Sequence, residues 1–557
     1  MKLNGAAITI ETLIAHGVHD VFGIPGGSVL NLYDELASRR DRITHRLTCH
    51  EQAAAHAADG YARASGRVGV ALATSGPGAT NLVTGIATAY LDSSPLVAIT
   101  GNVPTSLMGK DSFQEVDITG VTMPITKHGF LVKDIDNLEK TLAEAFRIAS
   151  SGRPGPVIVD IPKDIQIAET EFRGGHPLPE LPRKPVNPID LQAAADLINN
   201  SKRPFIYAGG GVVLSNTSDL LRQLAEKLDA PVGLSLMGLS ALSSDHPLFL
   251  GMTGMHGLPE ATQMQAEADL IIGIGVRFSD RATGNTAHFQ QQTRILHIDV
   301  DDAEIDKNVS ADLSVIGDLR DVLPALIELS EQRQRSDWLS RAGEFREAMQ
   351  QASIANGYAK NGGLSPRLVI NAVQDRGTDD LVVATDVGQH QMWVAQFYKF
   401  KQPRSFLTSG GLGTMGFGLG AANGASIARN KARTLLFTSD GSFHMNMNEF
   451  ATAVRYQLPI VVVILNNSVL GMVRQWQTLF YGARYSETTL DRPTDYVKLA
   501  EALGGRGFKA TNLSQLEAAL DAAFACSGPV LVDCQIDREA SVYPIIPPDG
   551  SFNDMII

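Results

Sequence analysis

Two oxygen-bearing residues late in the chain, Asp440 and Asn467, have the types and the spacing to hold a hard cation. A carboxylate and an amide oxygen suit Mg²⁺ or Ca²⁺, and Mg²⁺ usually takes only one or two protein carboxylates, drawing the rest from phosphate, backbone and water. Each follows an apolar run: Thr434 to Thr438 ends in Ser-Asp-Gly-Ser, and Ile460 to Leu465 ends in Asn466-Asn467. Gly441 lets the backbone come close to a ligand, and a helix beginning after Ser442 favours phosphate oxygens. A second candidate is Glu51, which opens the alanine-rich stretch EQAAAHAADGYARASG. Such a carboxyl either serves the helix dipole or exchanges a proton with a ligand. A third is the turn Pro25-Gly26-Gly27, a tight turn or a close backbone approach.

These residues need a scaffold. A helical stretch, roughly Met445 to Tyr456, separates the two apolar runs, which predicts a βαβ unit in a buried parallel sheet. Residues just past the carboxyl ends of such strands face the ligand crevice. The segment Val70 to Asn102 repeats the pattern. Thr74 and Thr438 each stand 21 residues before a proline, Pro95 and Pro459, and 28 before an asparagine, Asn102 and Asn466. Equal spacing implies two domains of one ancestral fold. Gly76 stands in the place of Asp440, so the first copy lacks the carboxylate. Between the copies, RPFIYAGGGV, DLIIGIGVRFSD and RILHIDVDD read as strands of a dinucleotide-binding type of domain, without a full GxGxxG. The proline-rich stretch Arg173 to Pro188 reads as a linker, and Ser330 to Gly363, charged, helical in pattern and then broken by glycine, as a connecting segment. The expected fold is α/β: three doubly wound parallel-sheet domains over residues 1–172, 189–329 and 364–540.

Composition narrows the partners. The 557 residues carry a net charge of −13 and no long basic run, which argues against nucleic acid or an anionic membrane surface. Three cysteines, Cys49, Cys526 and Cys534, form no metal or disulfide pattern and read as buried thiols in a reducing compartment. No apolar run approaches membrane-spanning length. The expectation is a cytoplasmic protein.

The Asp440-to-Asn467 unit resembles the diphosphate–metal motif of thiamine diphosphate enzymes, with Ser439 where that motif opens on glycine. Beyond it, TSGPGATNL, GKDSFQEVD, ITKHGFLV and SGRPGPVIVDIPKD are similar to the acetolactate (acetohydroxyacid) synthase large-subunit family along nearly the whole chain. The resemblance implies that pyruvate is decarboxylated on thiamine diphosphate and the hydroxyethyl carbanion condensed with pyruvate or 2-oxobutanoate, a step of branched-chain amino acid biosynthesis. It implies Mg²⁺ on Asp440, Asn467 and the carbonyl of Val469. Glu51 would act on the aminopyrimidine ring, with Gln114 and Phe113 beside the cofactor and substrate channel and Lys127 near its mouth. Pro25, Gly26, Gln389, His390, Gly413, Gly441, Ser442, Gly471 and Met472 would contact thiamine diphosphate, and Met415 would prop it in a bent shape. In the central domain, FAD in a structural role would meet Gly210, Met255, His256, Gly275, Arg277, Asp299 and Asp318. Ser279 there replaces the family's usual acidic residue. Arg277 also falls near the substrate entrance, and Trp476 would narrow the acceptor pocket. A homodimer or homotetramer is implied, with a small regulatory subunit as a further partner, and the tail PPDGSFNDMII as a lid.

Other readings stay open at this point. Glu51 speaks against a glyoxylate carboligase, and Trp476 with GKDSFQEVD against a pyruvate oxidase. Ser439 leaves room for a cofactor-binding protein without activity.

Overall fold

The computed structural model describes residues 1–286, 293–354, 363–547, 550 and 552–556. The N-terminal part contributes β1 (Lys2–Asn4), β2 (Asp20–Gly23), β3 (Thr44–Leu47), β4 (Gly69–Ala73), β5 (Leu96–Asn102), β6 (His128–Leu131), β7 (Pro156–Pro162) and β8 (Glu169–Glu171). The middle contributes β9 (Pro204–Ala208), β10 (Val232–Leu234), β11 (Phe249–Met252), β12 (Leu270–Ile274), β13 (Arg294–Asp299) and β14 (Leu313–Ile316). The C-terminal part adds β15 (Val382–Thr385), β16 (Phe406–Leu407), β17 (Thr434–Thr438), β18 (Ile460–Asn466), β19 (Arg506–Ala510) and β20 (Val530–Gln535).

Apart from the short antiparallel ribbon β1-β8, the strands form three six-stranded parallel sheets, ordered β3-β2-β4-β5-β7-β6, β11-β10-β9-β12-β13-β14 and β16-β15-β17-β18-β20-β19. Every residue of β5 and β18 is buried, so both faces are covered by helices. That is why these strands read as continuous apolar runs rather than alternating ones. The central sheet has the strand order of the dinucleotide-binding fold, with its reversal between β9 and β12.

The first and third sheets share one order, position for position, as two copies of one fold would. The likeness reaches individual side chains. Asn102 at the end of β5 donates to Asp160 on β7, and Asn466 at the end of β18 donates to Asp533 on β20. Thr100 lies level with Asp160, as Ile464 lies level with Asp533. The register corrects one residue of the sequence alignment. Ala73 pairs with Thr100 whereas Thr438 pairs with Ile464, so Ser75, not Gly76, falls level with Asp440. The first copy lacks the carboxylate on either alignment.

The two outer units are pressed together by the helices Glu51–Ser65 and Phe417–Ala428, whose backbones meet at glycines. A Cβ on Gly60 would lie 2.2 Å from the carbonyl oxygen of Ala421. At the same seam, Arg63 pairs with Asp59 and Asp92, two carboxylates with no exposure, and donates to the carbonyl of Thr408 at 2.7 Å. A buried guanidinium is tolerable only when its hydrogen-bonding fork is filled in this way.

Residues 172–187 carry no helix or strand, as the proline-rich composition predicts, and Pro188 opens the next helix, Pro188–Asn200. The connecting segment holds the helix Ser336–Ile354; its stretch 355–362 lies outside the described residues. All three cysteines are unpaired, but only Cys534 is fully buried. Cys49 is exposed, because it lies in the strand-to-helix turn before Glu51 rather than in a core.

Candidate active site

The carboxyl ends of β15, β17 and β18 gather most of the residues singled out in the C-terminal part. Asp440 follows β17 after Ser439 and is only 5% exposed, and Asn467 directly follows β18. Burial pushes the Asp440 carboxyl up to about 6, and its Oδ1 has no hydrogen-bond partner among the described residues. A buried, unpartnered carboxylate oxygen is costly without a counter-charge, so the position suits a cation. Asn467 Nδ2 donates to Gln389 Oε1 at 3.3 Å, which orients the amide and turns its oxygen away from Gln389.

Val469 faces Thr489 across a short antiparallel bridge closed by Leu470 N to Thr488 O and Leu490 N to Ser468 O, each 2.8 Å. Those bonds use the neighbours on either side and leave the carbonyl of Val469 free of the ladder. One carboxylate, one amide and one free carbonyl form a hard, oxygen-only set of the kind Mg²⁺ takes.

The turns around this set have no room for side chains. A Cβ on Gly471 would lie 1.9 Å from Gln389 Oε1, and one on Gly441 would meet Leu470, with the methyl of Met415 at 3.9 Å. Met415 thus lies beside the Asp440 turn. Ser442 Oγ donates to the carbonyl of Val387 at 2.9 Å, fastening that turn to the segment leading to Gln389 and His390. The His390 ring is buried, its Nε2 has no partner among the described residues, and burial pulls its pKa down to about 3, so the ring is neutral.

A second set lies in the N-terminal part. Glu51, 9% exposed, accepts from Asn81 Nδ2 at 2.9 Å. A Cβ on Gly78 would stand 3.3 Å from Glu51 Oε1, one on Gly26 2.4 Å from Thr74, and one on Gly76 2.9 Å from Gln114. The turn after Pro25, the turn after β4, Glu51 and Gln114 therefore pack as one group. Phe113, next to Gln114, is 86% exposed. No hydrogen bond or ion pair joins Glu51 to Asp440 among the described residues.

Between the central and outer units runs a cleft of about 1450 Å³. Gly210, Met255, His256, Gly275, Arg277, Asp299 and Asp318 all line it, as do Gly413, Met472 and Trp476. Its floor is bare backbone: a Cβ on Gly211 would stand 2.8 Å from the Cα of Gly275. Burial raises Asp299 to about 6, while Asp318 caps the helix Leu319–Leu329 and pairs with Arg320. The volume and the glycine floor fit a dinucleotide. Arg281 of the central unit lies over the Trp476 ring at 5.5 Å, so the aromatic wall is held from across the cleft. The tail reaches the same region from the side. Ile546 N donates to Met255 O at 2.9 Å, and the carbonyl of Pro544 lies 3.2 Å from His256 Nδ1.

Lys127 departs from expectation. It does not line the cleft; its ammonium donates to the backbone carbonyls of Ile148 and Ser151 at the end of the helix Leu138–Ser150. Burial lowers it to about 8. Open carbonyls at a helix end attract a lysine, and its long stem carries the half-buried ammonium to them. Sequence reading missed Asp386, which is fully buried. It accepts from Thr438 Oγ1 at 2.6 Å and from Gly418 N at 2.7 Å, tying the strand before Asp440 to the helix after Met415. Its position at the end of an apolar run, one residue past β15, was the available signal.

The chain matches three family descriptions in order. They are "Thiamine pyrophosphate enzyme, N-terminal TPP binding domain" over residues 3–121, the "central domain" over 191–326, and the "C-terminal TPP binding domain" over 386–534. It is 46% identical over 572 residues to the "Probable acetolactate synthase large subunit" of Methanocaldococcus jannaschii, covering 100% of this chain and 95% of that one. It is 44% identical over 555 residues to the "Acetolactate synthase isozyme 2 large subunit" of Escherichia coli, covering 100% and 99%. The Haemophilus influenzae "Acetolactate synthase large subunit" is 42% identical over 571 residues, with 100% and 98% covered. With a thiamine-type fold in three matched parts and relatives along its full length, the chain belongs to the thiamine pyrophosphate enzymes and, among them, to the acetolactate synthase large-subunit family.

Proposed function

We propose that the protein decarboxylates pyruvate and joins the remaining two-carbon unit to a second 2-oxo acid, pyruvate or 2-oxobutanoate. The products are 2-acetolactate and 2-aceto-2-hydroxybutanoate, precursors of branched-chain amino acids. The observation that carries this reading is the buried, unpartnered oxygen of Asp440 beside Asn467 at the ends of adjacent strands, in a chain of this family.

Bound thiamine diphosphate supplies the carbon nucleophile and the electron sink that decarboxylation needs. The protein's own groups bind and orient. Asp440, Asn467 and the carbonyl of Val469 hold Mg²⁺, while Gly441, Ser442, Gln389, His390, Gly413, Gly471 and Met472 surround the diphosphate. Met415 would support the cofactor. Glu51 holds and moves the proton at the pyrimidine ring, assisted by Asn81, with Pro25, Gly26 and Gln114 closing that side. Phe113, Arg277 and Trp476 border the substrate path. The central cleft takes FAD against Gly210, Met255, His256, Gly275, Arg277, Asp299 and Asp318. Lys127 serves the fold of the N-terminal unit.

Glu51 and Asp440 stand on different units, and Phe113 and Met123 are 86% and 73% exposed on the first. A homodimer or homotetramer that sets one copy's first unit against the other's third would complete the site and cover these residues. The relatives are named large subunits, which supports a small regulatory partner. Among the described residues no helix is long and apolar enough to cross a membrane. Three unpaired cysteines support a reducing, cytoplasmic setting.

The test is product identification by mass spectrometry with Mg²⁺, thiamine diphosphate, FAD and mixed 2-oxo acids. Pyruvate alone should give 2-acetolactate, and added 2-oxobutanoate the six-carbon product. Acetyl phosphate with peroxide, or no turnover, would overturn the reading.

A further inference from the structure

The turn that presents Asn467 and Val469 is held from behind by a carboxylate on the next strand. Ser468, between them, has φ of +57°, a left-handed conformation that a non-glycine residue adopts only when its surroundings impose it. Two bonds impose it here. Ser468 N donates to Asn466 Oδ1 at 3.2 Å, and Asn466 Nδ2 donates to Asp533 Oδ1 at 2.9 Å. Gln535 Nε2 donates to both oxygens of Asp533, each at 2.9 Å, and so fixes the carboxylate itself. Asn466 and Asp533 are 7% and 4% exposed, so water does not compete for these bonds.

The molecule contains its own comparison. Asn102 and Asp160 form the equivalent pair in the N-terminal sheet, and Asn102 Oδ1 accepts from Val103 N at 2.8 Å. No left-handed residue follows Asn102, and Ser75 stands where Asp440 would be. One buried Asn–Asp lock thus occurs in both halves, and only in the second does its turn carry cation ligands.

We propose that Asp533 is a positioning residue for the Mg²⁺ site: acting through Asn466, it sets the Ser468 turn so that the Asn467 amide and the Val469 carbonyl are presented together with Asp440. The inference rests on the metal reading above, and it assigns Asp533 a role through hydrogen bonding rather than contact with the ion. Partners of this kind typically change metal affinity by about 10–100-fold when removed.

The test is calorimetric titration of Mg²⁺ into the full-length protein at saturating thiamine diphosphate, with thermal unfolding run in parallel. Asp533→Leu should weaken Mg²⁺ by about tenfold or more, whereas Asp533→Asn, which keeps an oxygen for Asn466, should stay near the parent. Asp160→Leu should lower the unfolding temperature yet leave Mg²⁺ affinity unchanged. Parent-like affinity in Asp533→Leu, or an equal loss in Asp160→Leu, overturns the inference. If Asp533→Leu does not fold, Asn466→Ala breaks the same chain from its middle, with the same expected loss and the same overturning result. Asp440→Ala separates the two layers. It should abolish Mg²⁺ binding, and retained binding there would remove the metal reading itself.

Discussion

A single methyl group on Gly424 tests whether the seam between the outer units sets the geometry of the chemistry. The added Cβ would lie 1.8 Å from the carbonyl oxygen of Ala57, while ordinary contact begins at 3.4 Å. The difference of the two, 3.4 minus 1.8, requires the helices Glu51–Ser65 and Phe417–Ala428 to part locally by about 1.6 Å. Glu51 is the first residue of one helix, and Met415 stands two residues before the other. Overpacking of this kind costs about 1–3 kcal/mol of stability. A displacement near 1 Å at a reacting group costs about a hundredfold in rate. Gly424→Ala is therefore expected to fold with a lowered Tm, to bind thiamine diphosphate and Mg²⁺ like the parent, and to lose about a hundredfold in kcat. The assay is acetolactate formation at saturating cofactor beside calorimetric unfolding. A lowered Tm with undiminished kcat would refute the claim that this seam positions Glu51 and Met415.

Two further outcomes are expected. Trp476→Leu should open the acceptor pocket and cut the preference for 2-oxobutanoate over pyruvate by about 10–200-fold, read from the product ratio in mixed-substrate turnover; an unchanged ratio would exclude the aromatic wall as the selector. Glu449, which accepts from the amides of Cys49 and His50, is pushed by burial up to about 7. Its folded pKa lies above the unfolded value of 4.5, so the native state keeps a proton that the unfolded chain releases. Stability from this group therefore falls as pH rises from about 4.5 to about 7, by at most about 1.4 kcal/mol per pH unit. Glu449→Gln should flatten that slope, gaining in Tm over the parent between pH 5 and pH 8; a constant difference would contradict it.

Part of the candidate site is proposed from residue types and spacing, and the rest from the family resemblance. A carboxylate and an amide after two apolar runs suit a hard cation as well as a helix cap and a turn, and the β-branched runs around them suggest a parallel sheet. The duplication showed in spacing, since Pro95 and Pro459 immediately precede equivalent strands and Asn102 and Asn466 end them. What spacing cannot carry is the side on which a strand joins a sheet, so the strand orders appear only in the structure. Nor does it carry a one-residue slip, which is why Ser75 rather than Gly76 is level with Asp440. The supporting groups were hidden for another reason. Asp533 lies 67 residues from Asn466, and the Asp92 that faces Arg63 lies 29 residues away, with no local pattern to mark either pairing. Lys127 shows the converse: a lysine within a family-like run turned to two helix-end carbonyls that no motif records.

The central claim is that Asp440, Asn467 and Val469 together hold the cation that anchors the cofactor. The most direct measurement is a crystal structure with thiamine diphosphate and Mn²⁺ in place of Mg²⁺, with the metal located by its anomalous signal. One peak per chain is expected within coordination distance of Asp440 Oδ1, the Asn467 amide oxygen and the Val469 carbonyl. A peak elsewhere, or a cofactor bound with its diphosphate away from these three oxygens, would contradict it.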